Sequence, residues 1–523
     1  MERSDVEADA KPPRSDSRFP GAVTTLAIVT VLVWLAALFI PPGRYQLDDH
    51  GAPIPGTYER TASPLSTADT LRQLVLSPVN GVYGLRNPDT GFIDTETVGR
   101  MAGQIGVITF ILSIGAFISV SFATKALEVA VASLAHRLRD KGWLLIAAVM
   151  VLFSLLGSTM GFSVETLGFY ALFMPLVAAL GYDRMVTAAM IILGALVGVM
   201  ASTVNPFSIG VAAGEAGVSI GDGIGLRLLL WVVLTAMTVA WVLRYAVRVR
   251  RDASLSLLAG ETLEDDTADD GKPAAAHGAP PPLSGTQKAV LAITAAAFTL
   301  MIFSVIPWSA VLGGRGGAAD YYGSHQVAGV VPYWFELNWW FPELSMLFIL
   351  ASVLVGFIAR MGEKETVKLI AAGASDMLGP AMVVLLAGGV SAIMNNTQTM
   401  GTILHSMEQA VSGASAGLFT LLTVLVNIPL GMLIPSSSGH GALAMPLLAP
   451  LADFAGVSRA TTITAWAIGH GLSLMFSPTS VVLVGGLAIA KVGYNKFLRF
   501  AWPLLLALGL VSVLIISVAT RIG

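Results

Sequence analysis

The sequence predicts an all-α polytopic membrane protein with about nine transmembrane helices and two re-entrant hairpins, built as an inverted repeat. Three observations carry this expectation. Of 523 residues, 55% are hydrophobic and 12% charged, half the charge with which a soluble domain covers its surface, about 25%. Most of the chain falls into apolar segments of about 20 residues, the length of a spanning helix. The same order of features occurs twice along it. Composition also removes whole classes of function. A net charge of −3 offers no basic field for nucleic acid. With no cysteine there is no thiolate nucleophile, no disulfide framework and no thiolate-held metal. The 54 glycines each cost about 1 kcal/mol in a helix interior unless close packing or irregular backbone uses the missing side chain.

Residues 1–21 are polar and rich in Pro, Ser and Asp, which predicts a disordered cytoplasmic tail. The run 22–40 lacks a small-x-small cleavage site, ends at Pro41-Pro42 and is about 28 Å long as a helix, so it reads as a retained span. Residues 41–102 are mixed and acid-leaning, the composition of an exported loop. Apolar segments follow at 103–122, 143–180, 185–216, 226–244, 288–307, 341–359, 377–397, 417–453, 460–490 and 500–519. A polar linker at 252–287, with Glu264-Asp265-Asp266 and Pro280-Pro281-Pro282, separates a first repeat, 22–251, from a second, 288–519, that holds one extra span.

Orientation follows from the cations. Lys125, Arg137, Arg139 and Lys141 form one cluster, Arg244, Arg248, Arg250 and Arg251 a second, Arg360, Lys364 and Lys368 a third, and Lys491, Lys496 and Arg499 a fourth; all are expected in the cytoplasm. The loop 308–340 carries only Arg315 and closes on Tyr333, Trp334, Trp339 and Trp340, an aromatic belt for the opposite face. If 143–180 crossed the membrane once, the second cluster would fall on the wrong side. Its middle, GSTMGFSVET at 157–166, is too polar for lipid, and its arms of about 14 residues are shorter than a span. It is therefore read as a hairpin entered from the cytoplasm, and 417–453, with PSSSGHG at 435–441 as its tip, as one entered from outside.

The repeat rests on matched landmarks. Met174-Pro175, Asp183-Arg184, a span broken at STVNPFS (202–208) and Arg227 follow the first hairpin; Met445-Pro446, Ser458-Arg459, a span broken at FSPTS (476–480) and Arg499 follow the second. Pro206 and Pro478 each lie 21 residues before the matching arginine, and 216–227 aligns without gaps to 488–499. Either proline alone would be an ordinary kink. Two at equivalent positions, flanked by hydroxyls, mark broken helices of the kind that surround a carrier's binding site.

Irregular backbone is tolerated at mid-membrane depth only where protein or a water-filled cavity surrounds it, so two tips and two breaks should converge. A helix N-terminus there suits a carboxylate, and unwound carbonyls suit Na⁺. Ser158, Thr159, Glu165, Ser202, Thr203 and Asn205 from one half, and Ser436, Ser437, Ser438, His440, His470, Ser477 and Thr479 from the other, are the expected substrate- and ion-binding residues. Na⁺, if it is the coupling ion, would be held through Asn205 and Thr479; no other cofactor or metal is expected. Glu165 reads either as an interfacial carboxylate or, at mid-depth, as a contact for substrate or proton. His440 and His470 sit between glycines and read equally as packing groups or as a proton site. No HExxH motif or acidic ligand set accompanies them, which disfavours zinc. Asn395, Asn396 and Thr397 either cap a span or line the cavity. Gly214, Gly217, Gly221, Gly223 and Gly225 predict a tight turn with close packing, since no strand precedes them as a phosphate loop would require.

STVNPFSIGVAAGEAGVSIGDGIGLR, the tip GSTMGFSVET with its FMPL, and SSSGHGALAMPLLAPLADFAGVSR followed by SPTSVVL resemble the YfcC-like branch of the anaerobic C4-dicarboxylate carrier (DcuC-type) family, within the ion transporter superfamily. The likeness runs from about residue 100 to 519. It implies an elevator-type secondary carrier, often a homodimer, with two opposed hairpins around a small-molecule substrate. The branch includes proteins described as dicarboxylate carriers and as basic amino acid antiporters. Where its members tend to carry Gln in the second tip and Asp in the last broken span, this chain has His440 and His470. Loss of the acidic group weakens the basic amino acid alternative. The expectation is a multi-pass carrier of the cell inner membrane, coupled to H⁺ or Na⁺, for a C4-dicarboxylate or amino acid. A membrane-embedded enzyme using the two histidines is the rival of another class, and the absence of a nucleophile–base motif opposes it.

Overall fold

The computed structural model describes residues 22–46, 53–86, 93–94, 104–259, 282–312, 333–337, 339–411 and 415–522. The tail 1–21, the acidic part of the linker and Arg315 lie outside them. Helices dominate. The chain opens with α1 (Ala22–Ala37) and α2 (Thr67–Tyr83), beside which two short antiparallel pairs form, β1 (Gly43–Arg44) with β2 (Glu59–Arg60) and β3 (Leu85–Arg86) with β4 (Ile93–Asp94). Next come α3 (Ile105–Ala123), α4 (Ala126–Arg137), α5 (Gly142–Met160), α6 (Tyr170–Ala179), α7 (Arg184–Met200), α8 (Val211–Ala216) and α9 (Ile224–Arg251). Then follow α10 (Gly285–Val305), α11 (Trp308–Leu312), α12 (Phe341–Ile358) and α13 (Glu363–Asp376). The last set is α14 (Leu378–Asn396), α15 (Thr399–Val411), α16 (Ala416–Leu433), α17 (Ser437–Phe454), α18 (Arg459–Leu474), α19 (Val481–Ile489) and α20 (Tyr494–Ile522).

From α3 to α9 and from α14 to α20 the order is the same: a span, a short amphipathic arm, a hairpin, a broken helix and a long final helix. The local chemistry matches too. Lys125 and Gln398, between span and arm, take left-handed φ of 55° and 56°. Asp183 and Ser458 cap α7 and α18, accepting from the Val186 N–H at 2.9 Å and the Thr461 N–H at 3.2 Å. The turns ahead of those caps carry Gly181 and Gly456 at φ of +80° and +64°, which other residues adopt only with strain.

Eight helices are long and apolar enough to cross a membrane among the described residues. Six of them, α3, α9, α10, α12, α14 and α20, are expected spans; the other two are the leading hairpin arms α5 and α16. Those arms have 19 and 18 residues, longer than the sequence suggested, and this corrects the boundary of the polar tips. GSTM continues α5 because its hydroxyls bond locally, as when Thr159 donates to Leu155 O at 2.8 Å, and SSGHG begins α17 because Ser436 caps it. Irregular backbone is confined to a few residues at each tip.

Residues 41–102 hold more than a loop. α2 is capped by Ser66 and lies along α14 so closely that a Cβ on Gly81 would sit 2.2 Å from the Gly388 carbonyl carbon. Mixed polarity and Pro78 inside the helix concealed it in the sequence. Between α8 and α9, Gly217 and Gly223 take φ of +67° and +71° and Gly221 packs on the Val305 carbonyl, the expected tight turn. Outward faces are apolar, with Phe357, Leu510 and Leu514 exposed, as a lipid-facing surface requires.

Candidate functional site

In each half the broken helix is tied to the last turn of the leading hairpin arm. The Ser158 hydroxyl, in the last turn of α5, lies 3.0 Å from both Ala201 O and Thr203 Oγ1, and the Thr203 N–H donates to Ser158 O at 3.0 Å. Thr479 likewise donates its hydroxyl to Met432 O, in the last turn of α16, at 2.8 Å. These bonds satisfy backbone groups that the interruptions would otherwise leave without partners.

Around the first break, Ser202 donates to Val199 O at 2.7 Å and accepts from Asn205 Nδ2 at 3.2 Å and from Ser208 Oγ at 3.1 Å. Asn205 Oδ1 accepts the Phe207 N–H at 3.0 Å, capping the turn that leads into α8. Ser158, Ser202, Thr203, Asn205 and Ser208 are all buried. At the second tip, Ser436 accepts the Gly439 N–H at 3.3 Å, with Ser438 Oγ 3.2 Å away. Ser437 Oγ lies 3.0 Å from His470 Nε2, and His470 Nδ1 lies 2.9 Å from His440 Nδ1. Trp466 stacks on His470, centroids 5.7 Å apart and planes at 13°. Ser477 and Thr479 hydroxyls are 2.6 Å apart in the second break.

The halves meet at the broken helices. A Cβ on Gly471 would lie 2.3 Å from Met200 Cα, so α18 crosses the end of α7 backbone to backbone, one residue beyond His470. Beside this crossing, Gly441 of the second tip faces the Ala212 methyl of α8.

Not every expected residue joins this centre. Thr159 bonds to its own helix, and Glu165 is exposed, accepts the Ser163 N–H at 3.0 Å and lines a surface cleft with Phe122, Lys125 and Glu128. The tip is displaced because α5 runs on to Met160 and a 3-10 turn carries Glu165 out toward α4. Asn205 and Thr479 belong to separate networks, one in each half. The NNT group caps α14 and binds α2: Thr397 donates to Ile393 O at 2.7 Å, and Asn396 to Gln73 at 3.2 Å. Three residues were missed. Ser208 completes the first network, and Trp466, one turn before His470, is the stacking partner. Glu215, on α8, hydrogen-bonds to Gln104 and keeps Oε1 buried without a partner. A lone carboxylate inside AGEAG, eight or so residues past a break, was the available signal.

Hairpins and broken helices around a buried centre of hydroxyl, amide and imidazole groups define a membrane transporter. The profile of the C4-dicarboxylate anaerobic carrier (DcuC) family matches residues 19–521, and the chain belongs to that family. It is 27% identical, over 98% of its length and 99% of the relative's, to an Escherichia coli K12 protein named "Putative basic amino acid antiporter YfcC". A Haemophilus influenzae protein of uncharacterized function is also 27% identical, over 98% of both chains. Its fold is similar to that of the YdaH transporter of Alcanivorax borkumensis, with a TM-score of 0.67 at 16% identity over 95% of this chain and 98% of the other. MtrF of Neisseria gonorrhoeae, described among antimetabolite efflux pumps, gives a TM-score of 0.63 at 15% identity over 96% and 95%. Family and neighbours are carriers, not enzymes, so His440 and His470 belong to a transporter of small molecules embedded in a membrane.

Proposed function

We propose that the protein is an elevator-type secondary carrier of the cell inner membrane, working as a homodimer, that moves a small carboxylate-bearing metabolite coupled to H⁺ or Na⁺. A C4-dicarboxylate or an amino acid fits this class. The observation that carries the reading is the α7–α18 crossing, with the buried hydroxyls and amide of the first break beside one helix and the N-terminus of α17 with the two imidazoles beside the other. A helix N-terminus and neutral donors suit a carboxylate. The oxygens of Ser202 and Asn205 in the first break, and separately those of Ser477 and Thr479 in the second, suit Na⁺ without the cost of a buried charge. The cytoplasmic cation clusters set the halves in opposite orientations, so the units bearing the hairpins would carry the site across while the other spans stay fixed.

One observation supports the antiporter alternative suggested by the E. coli relative's name: the unpartnered oxygen of Glu215 would accept a cationic group. The first test is uptake of labelled succinate into proteoliposomes. Asn205→Ala and Thr479→Ala each lower uptake at least about tenfold in protein that still folds, its melting temperature falling only by the few degrees that one or two lost buried hydrogen bonds cost. Full uptake in both variants would overturn the site assignment.

A further inference from the structure

The contact between His440 and His470 has a chemical requirement of its own. Two ring nitrogens at 2.9 Å cannot both carry protons or both be bare, so one Nδ1 donates and the other accepts. We propose that Ser437, His470 and His440 form a proton relay whose proton position sets the hydrogen-bonding role of the Ser437 hydroxyl at the second tip, and that this relay is the coupling-proton site of the carrier. The inference rests on the transporter reading above and names H⁺ as the coupled ion.

In the neutral relay each ring holds one proton. With the shared proton on His470, His440 carries its own on Nε2, and His470 Nε2 accepts the Ser437 O–H. A proton taken up at His470 Nε2 sends the shared proton across to His440 Nδ1: His440 keeps its Nε2–H and becomes the imidazolium, His470 is left neutral with its proton on Nε2 and donates to Ser437 Oγ, and the Ser437 O–H is free to donate to a bound carboxylate. Among the described residues His440 Nε2 is buried with no partner, so no neighbour takes that proton from the ring. Proton uptake and carboxylate binding at Ser437 thus favour each other, and the coupling is reciprocal.

Among the described residues, the hydrogen-bond and ring contacts of the two imidazoles are with Ser437, Trp466 and each other. Each ring is the titratable group that faces the other. Trp466 and Ser473 of α18 and Gly431 of α16 lie beside the histidines, and Met200 of α7 and Ala212 of α8 lie against the glycines next to them, none of them titratable in this range. Ser473 is already committed, donating to His470 O at 2.7 Å.

Two measurements on the full chain in lipid decide the matter. In histidine-¹⁵N-labelled protein, nuclear magnetic resonance should show scalar coupling between the two Nδ1 atoms, and Ser437→Ala should shift the tautomer balance of His440, which Ser437 does not touch. Absence of the coupling, or a His440 balance indifferent to Ser437→Ala, would overturn the relay. In proteoliposomes, succinate uptake should change by about tenfold per pH unit on the limb where the relay is mostly bare, between external pH about 8 and about 5.5, and His440→Gln and His470→Gln should each flatten that profile. A flat profile in the parent overturns the coupling role. No succinate uptake at any pH counts instead against the carboxylate reading, and the spectrum alone then judges the relay.

Discussion

Gly471 and Gly225 separate a backbone needed for function from a backbone merely present. A methyl on Gly471 would lie 2.3 Å from Met200 Cα, where neither helix has a flexible side chain to move aside, whereas a methyl on Gly225 meets nothing within 4 Å. Gly471→Ala should therefore cost about 1–3 kcal/mol or more by overpacking, lower the melting temperature by several degrees and suppress transport. Gly225→Ala, in the first turn of α9, should be neutral or stabilise by up to about 1 kcal/mol. Thermal unfolding of the two purified variants checks the contrast; equal melting temperatures would show that the α7–α18 crossing yields more easily than the structure implies.

At the scale of elements, α15 is held by the segment between α1 and α2. The Tyr45 hydroxyl donates to Glu408 Oε2 at 2.5 Å, the Gly56 N–H donates to Oε1 at 2.9 Å, and Tyr58 stacks on His405 at 4.0 Å. Burial works against the Glu408 charge, but hydrogen bonds from Tyr45, Gly56 and His405 outweigh it and hold the carboxyl below its ordinary value of 4.5. Burial first, and then the carboxylate beside it, push the Tyr45 phenol up. The sign follows from a depressed folded value: the contribution is present above the unfolded value and is lost as pH falls through the folded one. The protection of residues 53–60 against hydrogen exchange, taken relative to the intrinsic rate at each pH, should stay unchanged between about pH 8 and about 5 and fall only below 4.5. Glu408→Gln should lower that protection throughout the range where the carboxylate is charged. Loss of protection already at pH about 6 would show that the clamp does not depend on the Glu408 charge.

This clamp also marks where the sequence stopped being legible. The broken helices, the arginine landmarks and the two tips could be read because polar residues inside long apolar runs are costly and leave few alternatives. α2 and its partner strands could not, since TADTLRQLVLSPVNGVY carries a proline and looks like loop until α14 supplies the surface for Gly81. The arms were drawn too short for the same reason in reverse. Ser158 and Ser437 look like loop formers, and only their partners, Thr203 and His470, show that helix continues through them. Glu165 failed because depth was inferred from position in a tip, while a 3-10 turn moved it outward.

For the whole molecule the open question is which charge the site selects, and the distribution of ionisable groups sets an expectation. The tips and breaks gather serines, threonines, an asparagine and two imidazoles, while Glu165 of the first tip is exposed and Glu215, seven residues past the first break, is engaged with Gln104 just before α3. An anion gains donors in such a centre without opposing charge, whereas arginine would have one buried carboxyl oxygen to meet. A ligand that binds only the folded protein at 100 times its dissociation constant stabilises it by about 2.7 kcal/mol. Succinate should therefore raise the melting temperature of the detergent-purified protein, more at pH about 6 than at pH about 8 if a proton binds with it. Arginine should leave it unchanged. A shift with arginine that disappears in Glu215→Gln would instead establish cationic amino acid binding and move the specificity-setting group from the second tip to α8.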